Sequence, residues 1–152
     1  MNKILFVGKD FYPDTLGVSK YSTEMCLWLQ KKNRLKVDVI TGYPYYPEWK
    51  NKSNNSILGY RKESFRKLNI VRVPTFIPPN PNGLNRSIQN IIFSLSSLPI
   101  ILFKLLFNRP SCLISIVPSY TNTFCCVILA RIFRIKSFVH IQDLEFDLAI
   151  FK

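Results

Sequence analysis

The sequence predicts an α/β protein built on a doubly wound, mostly parallel sheet, and three observations carry that prediction. Four short runs are apolar and rich in β-branched residues without strict alternation: Lys3 to Gly8, Lys36 to Thr41, Cys112 to Val117 and Lys136 to Ile141. Strands covered on both faces read this way. Segments with helical spacing of apolar residues lie between them. The order strand, helix, strand, helix then gives right-handed βαβ units.

The elements follow in order. Gly8 and Gly42 close the first two strands, and Pro118 closes the third. After the first strand, Ser22 to Lys32 is expected to be a helix. Met25, Leu27, Trp28 and Leu29 form its broad apolar face, and Glu24, Gln30 and Lys31 stay wet. Tyr60 to Glu63 and Asn69 to Pro74 read as short strands, a hairpin or sheet edge, in company with Arg61, Lys62, Arg66, Lys67 and Arg72. The stretch VPTFIPPNPNG that follows carries four prolines and is irregular. Ser87 to Phe107 is the most apolar segment, nearly long enough to cross a bilayer. Gln89, Asn90, three serines and Lys104 interrupt it and Pro99 is expected to kink it, so a sheet-packed helix with an exposed greasy end is the preferred reading over a spanning one. Tyr120 to Arg134 is expected to set Phe124, Ile128 and Leu129 against the sheet and to end in Arg131 and Arg134, cations suited to a helix C-terminus.

Composition narrows the functional classes. A chain of 152 residues reads as one domain, residues 1–152, large enough to bury a core. Hydrophobic residues make up 47% and aromatics 14%, which excludes a disordered protein. The 21 Lys and Arg against 9 Asp and Glu give a net charge of +12, which calls for an anionic partner: nucleic acid, a phospholipid surface or a phosphorylated substrate. Cys26, Cys112, Cys125 and Cys126 form no C-x-x-C pair, and with one histidine in the chain no structural zinc site is expected. They read as small buried hydrophobes in a reducing compartment. The opening MNKILFVGKD has too short an apolar stretch for a signal peptide, so a cytoplasmic protein is expected.

Ligands of doubly wound sheets bind beyond the carboxyl ends of the strands. That rule selects three loops: Lys9 to Ser19, Tyr43 to Gly59, and the segment after His140. The first is longer than the two to six residues that such a turn usually takes. It is neither a G-x-G-x-x-G fingerprint nor a P-loop, since only Gly17 follows Gly8. Two readings fit it: a glycine at a helix entry where backbone N–H groups attract an anion, or a wide turn that Gly17 relieves and Asp14 and Ser19 cap. His140, at the end of its strand, is either a satisfied core residue or a cleft residue. Asp143, Glu145 and Asp147 after it could bind a metal, or serve as acids at a helix N-terminus.

Taken together, FYPDTLGVSKYSTEM, TGYPYYPEWK and FVHIQDLEFD on this frame resemble the N-terminal half of a family 4 retaining glycosyltransferase of the GT-B fold, of the colanic-acid and O-antigen type. The resemblance covers Met1 to about Ile150. It implies a Rossmann-like N-terminal, acceptor-side domain whose C-terminal partner domain is absent from this chain or supplied by a separate one. It also implies transfer of a sugar from a nucleotide-sugar donor to a polyprenyl-linked glycan acceptor in cell-surface polysaccharide or lipopolysaccharide synthesis. No cofactor or obligatory metal is implied. Gly17, Ser19 and Lys20 would lie against donor phosphate or acceptor, and His140 would be the catalytic residue beside the transferred sugar. Tyr45, Tyr46, Glu48 and Trp49 would shape the acceptor side, and Asp143 belongs to the motif. Relatives commonly carry a second glycine where this chain has Ser19. The half missing from this chain carries an E-x7-E segment and the basic residues that grip the donor diphosphate, so the chain alone is expected to be inactive. The greasy helix and basic surface suit an enzyme peripheral to the inner face of the cytoplasmic membrane. Nucleic acid is not expected, because no helix-turn-helix, zinc-finger or RNP pattern occurs. The alternative is a non-catalytic module that binds membrane or a partner subunit.

Overall fold

A computed structural model describes residues 3–53 and 56–143. In chain order the elements are β1 (Lys3–Val7), α1 (Gly17–Asn33), β2 (Lys36–Thr41), β3 (Arg61–Phe65), β4 (Leu68–Arg72), α2 (Gly83–Phe107), β5 (Cys112–Val117), α3 (Tyr120–Ile132) and β6 (Lys136–Ile141). The six strands form one sheet in the order β3-β4-β2-β1-β5-β6. Every neighbouring pair is parallel except the antiparallel hairpin β3–β4, in which Arg61 faces Arg72 and Phe65 faces Leu68. The expected doubly wound α/β fold is therefore present, with the hairpin at one edge.

Alternation along the strands sends side chains to two separate cores. Ile4, Phe6, Val37, Val39 and Ile70 pack with Cys26 of α1 on one face of the sheet. Leu5, Val7, Ile40 and Leu113 pack with Phe93, Ile101 and Leu105 of α2 and Cys126 of α3 on the other. From β1 the chain winds outward through β2 to β4, then α2 carries it back across the sheet to β5. The direction of winding thus reverses between β1 and β5, and a crevice opens at their carboxyl ends.

Several sequence expectations need correction. The helix after β1 begins at Gly17, not Ser22, so Ser19 and Lys20 lie in its first turn. Its buried residues are Ser19, Ser22, Thr23 and Cys26, and Met25, Leu27 and Leu29 of the expected face pack partly buried beside them, whereas Trp28 is 56% exposed. In α3 the buried residues are Asn122, Thr123, Cys126 and Ala130, while Phe124 and Ile128 point outward. The physical reason is the same in both helices: small side chains under the axis let the helix approach the sheet closely, with Leu27, Leu29 and Leu129 packing at the flanks and Trp28, Phe124 and Ile128 left outside. The apolar helix α2 starts at Gly83 with Asn82 as its N-cap, its side-chain oxygen accepting from the Asn85 amide, and it runs continuously past Pro99. Asp14 and Ser19 do not cap α1, whose N-cap Leu16 has no side-chain capping bond.

The far end of α2 is tied down by charge. Lys104 Nζ lies 2.7 Å from Asp38 Oδ2, which Lys3 also reaches at 3.2 Å, and the Asn69 amide donates to Asp38 Oδ1 at 2.9 Å. Burial pushes the Asp38 carboxyl up, but the hydrogen bonds from Lys104, Asn69 and Lys3 outweigh it and hold the group below its ordinary value.

Candidate functional site

A cavity of about 180 Å³ occupies the crevice at the carboxyl ends of β1 and β5. It is walled by the first turn of α1 (Gly17, Val18 and Ser19), by the aromatic loop (Tyr45, Tyr46 and Trp49), and by Lys9, Asp10, Arg86, Pro118 and Asp143. The cavity thus joins all three of the loops chosen from sequence.

Each wall has a physical origin. Gly17 sits at φ +54°, a left-handed conformation that glycine adopts without penalty, and it turns the chain into α1. The amides of that first turn have no side-chain cap and face the crevice end of the helix, where backbone N–H groups and the helix dipole favour an anion. Lys9 is only 6% exposed, with Nζ 3.1 Å from Gln89 Oε1 and 4.0 Å from Asp10. Asp10 in turn accepts from the Tyr45 hydroxyl at 2.8 Å. Arg86 stacks its guanidinium over Trp49, 5.1 Å from the ring centroid. Two cations, a helix N-terminus and a tyrosine–tryptophan wall together suit a ligand with an anionic part and a ring, such as a sugar, that can pack on an aromatic face.

The aromatic wall is held from beneath by buried charge. Asp14, 3% exposed, accepts with Oδ2 from the amides of Tyr45 and Tyr46, both at 3.0 Å, and receives Lys52 on Oδ1 at 3.2 Å. Lys52 also bonds Glu48 and the Tyr46 carbonyl. For Lys52, partial burial lowers the pKa while Glu48 and Asp14 raise it, and the net direction is up. Arg72, 1% exposed, donates to the Gly42 carbonyl at 2.8 Å and to the Tyr12 carbonyl, and its Nε meets Glu63 at 3.1 Å. One guanidinium therefore fastens the β3–β4 hairpin to both ligand loops. Thr41 and Gly42 close the remaining gap, donating from Oγ1 and N to the Lys9 carbonyl, each at 3.0 Å.

Of the residues chosen from sequence, Gly17, Ser19, Tyr45, Tyr46, Trp49 and Asp143 line the cavity. Three do not. Lys20 is exposed on α1 beside Tyr21. Glu48 acts through Lys52, with its own side chain 57% exposed. His140 pairs in register with Ile116 near the carboxyl end of β6 and is exposed beside the crevice, not in its wall. Glu145 and Asp147 lie outside the described residues. Lys9, Asp10 and Arg86 are additions. The first two directly follow β1 and its closing glycine, which was signal enough. Arg86 was hidden because the helix was expected to begin one residue later, at Ser87.

The comparisons with known proteins agree with this architecture. No family model matches the chain. It is 34% identical over 151 residues to a protein of Escherichia coli K12 provisionally named the colanic acid biosynthesis glycosyl transferase WcaI, a match covering 95% of this chain and 35% of that one. The chain thus spans about a third of the length of the curated relative it matches. Its fold also matches a crystal structure of a UGT transferase from Siraitia grosvenorii in complex with UDP, with a TM-score of 0.52 at 16% identity. That match covers 91% of this chain and 27% of the other, and it speaks to the fold alone. The sequence match bears out the resemblance to part of a glycosyltransferase, and the structural match bears out the fold.

Proposed function

We propose that this chain forms one wall of a glycosyltransferase cleft, the acceptor side, in an enzyme that passes a sugar from a nucleotide-sugar to a lipid-linked glycan during cell-surface polysaccharide synthesis. The observation that carries the reading is the cavity at the β1/β5 crevice, with Lys9, Arg86 and the α1 N-terminus converging on it. Diphosphates are what such a site attracts: two cations and uncapped amides stabilise spread negative charge in a recess that excludes part of the water. Trp49 and Tyr46, the accessible rings of the aromatic wall, offer apolar surface on which a sugar ring can pack.

On this reading His140 contacts the transferred sugar when a second domain closes over the crevice, and Asp10, held by Tyr45, positions an acceptor hydroxyl. Transfer needs charge stabilisation from both sides of the leaving diphosphate, so residues 1–152 by themselves bind ligand and turn nothing over. The enzyme works at the cytoplasmic face of the membrane, where a polyprenyl-linked acceptor is found.

The test is calorimetric titration of the purified chain with UDP and, separately, with farnesyl diphosphate as a short soluble polyprenyl diphosphate. Binding of at least one ligand that weakens tenfold or more in Arg86→Ala and in Lys9→Met supports the site. Binding of neither, or binding that both variants leave unchanged, overturns it. Turnover of a nucleotide-sugar by the wild-type chain above a His140→Ala control would contradict the assignment of catalysis to a two-domain cleft.

A further inference from the structure

Lys9 is the buried cation of the cavity, and the residue that holds it does not itself line the cavity. Its ammonium can donate three hydrogen bonds and accept none. One goes to Gln89 Oε1 at 3.1 Å. Asp10 Oδ2 stands off at 4.0 Å, beyond hydrogen-bond range, while its Oδ1 accepts from the Tyr45 hydroxyl. The Tyr45 ring centroid lies 5.9 Å from Nζ, at the outer limit of cation–π attraction. Among the described residues, the close bond of this ammonium is therefore to a neutral amide.

Gln89 sits on α2 one turn after Arg86 and one turn before Phe93. Arg86 lines the cavity and Phe93 belongs to the core, so this row of the helix leads from the site into the interior with Gln89 between. Gln89 is 0% exposed. Because an ammonium only donates, the carboxamide must present its oxygen to Lys9, and that turns its nitrogen away. Nε2 is buried and finds no acceptor among the described residues. A buried donor without a protein partner opposes stability. An apolar side chain, such as Phe93 offers one turn on, would fill the position without that cost. Packing explains Gln89 poorly, and Lys9 explains it well.

We propose that Gln89 is a positioning residue of the site: it fixes the Lys9 ammonium at the cavity without neutralising it, so that an anionic group of the ligand meets a full and pre-oriented positive charge. The inference deepens the reading above and rests on it. A carboxylate at position 89 would hold Lys9 as firmly but would cancel its charge. A thioether would fill the space but leave Lys9 free to swing towards Asp10 and pair with it. The neutral acceptor avoids both outcomes. Fixing the side chain beforehand also removes rotamer entropy that binding would otherwise have to freeze. Arg86, the second cation, is set in another way, stacked over Trp49 with its guanidinium 5.1 Å from the ring centroid. The first turns of α2 thus organise both cations, one directly and one through Gln89.

The experiment has a ligand-free arm and a ligand-bound arm, both on the purified chain. Gln89→Met keeps the length of the side chain and removes the acceptor, whereas Gln89→Glu keeps the acceptor and adds a charge. In the first arm, reductive methylation with peptide mapping reads the freedom of Lys9. Lys9 should react among the slowest lysines in the wild type and roughly fivefold faster in Gln89→Met. Equal rates overturn the tether. In the second arm, affinity for UDP or farnesyl diphosphate should fall about tenfold in Gln89→Met and further in Gln89→Glu. The salt dependence of binding should become shallower in Gln89→Glu, where the charge of Lys9 is cancelled, and stay unchanged in Gln89→Met. A purely structural role would not reproduce the double variant: in a Lys9→Met background, Gln89→Met should change affinity by less than about twofold, because it acts through Lys9. Equal losses in both backgrounds would overturn the proposal. So would a melting temperature of Gln89→Met lower by more than about 10 °C in circular dichroism, which would make Gln89 a structural residue. If Lys9→Met weakens binding and Gln89→Met does not, the site stands and this inference alone falls. If the wild type binds neither compound, the ligand role falls with the reading it rests on, and the methylation rates still decide the tether.

Discussion

Removing the Asp14 carboxylate tests whether the aromatic wall is truly hung from it. Two substitutions separate its arms. In Asp14→Asn, an amide oxygen placed at the Oδ2 position still accepts from the Tyr45 and Tyr46 amides, and only the Lys52 arm is lost. The Lys52 side chain is 31% exposed and keeps Glu48, so solvent screening reduces that loss to about 1 kcal/mol. In Asp14→Ala both amides lose their acceptor as well. A buried donor left unpaired costs about 1–3 kcal/mol, and the loop can rehydrate one of the two by moving outward, so about 3 kcal/mol in all is expected. For a domain of this size that corresponds to a fall in melting temperature of roughly 10 °C. Thermal unfolding followed by circular dichroism reads the stability, and the titrations with UDP and farnesyl diphosphate read the site. Asn should keep ligand affinity within about threefold, and Ala should lower it further. Equal melting temperatures for Asn and Ala would refute the reasoning, because the backbone bonds would then contribute nothing.

Other expectations follow from the same structure. Asp38 has its pKa held below the ordinary value, so its contribution to stability is full above the unfolded carboxylate pKa of about 4. It is lost as pH falls through the lower folded value, and Lys104→Met should flatten the melting-temperature profile between about pH 5 and pH 2. Gly17→Ala meets open space but must hold φ near +54°, so a loss of about 1 kcal/mol in a denaturant titration is expected; no loss would mean that the turn relaxes. Burial pushes the Cys126 thiol up to about 12 and raises Cys26 as well, so neither should react with a thiol reagent at pH 8 in the folded chain. Half-buried Cys125 should be labelled first, as peptide mapping can show.

The sheet was legible in the sequence because its inner strands are buried on both faces and so appear as unbroken apolar runs. The helices were legible as segments but only in part as faces. Periodicity weighs bulk: it rightly selected Met25, Leu27, Leu29 and Leu129, which pack at the flanks, but also Trp28, Phe124 and Ile128, which stay outside, and it passed over Ser22, Cys26, Asn122 and Ala130, which are buried on the sheet side. Hydroxyls and amides reach the interior there because each finds a partner: Thr23 donates to the Ser19 carbonyl at 2.7 Å, and Asn122 to Ser97. The site was legible as three loops, since the strand-end rule needs only the strands. Its supports were not. Arg72 looked like one more cation of a basic hairpin, and only the three-dimensional path of Tyr12 and Gly42 past its guanidinium reveals a buried brace.

That brace bears on how specificity can be moved between related enzymes. The aromatic loop is seated on Asp14 from the first loop, and both loops hang on Arg72 from β4, a residue sixty positions away from Tyr12 in the chain. Grafting the aromatic loop alone into a relative would therefore carry over its rings without their foundation. A working transplant has to take three separated pieces together: the segment around Asp14, the loop from Tyr43 to Lys52, and the hairpin bearing Arg72 and Glu63. Recombination points chosen within any of these would break the assembly, whereas a crossover in the proline-rich stretch before Gly83 leaves all three intact.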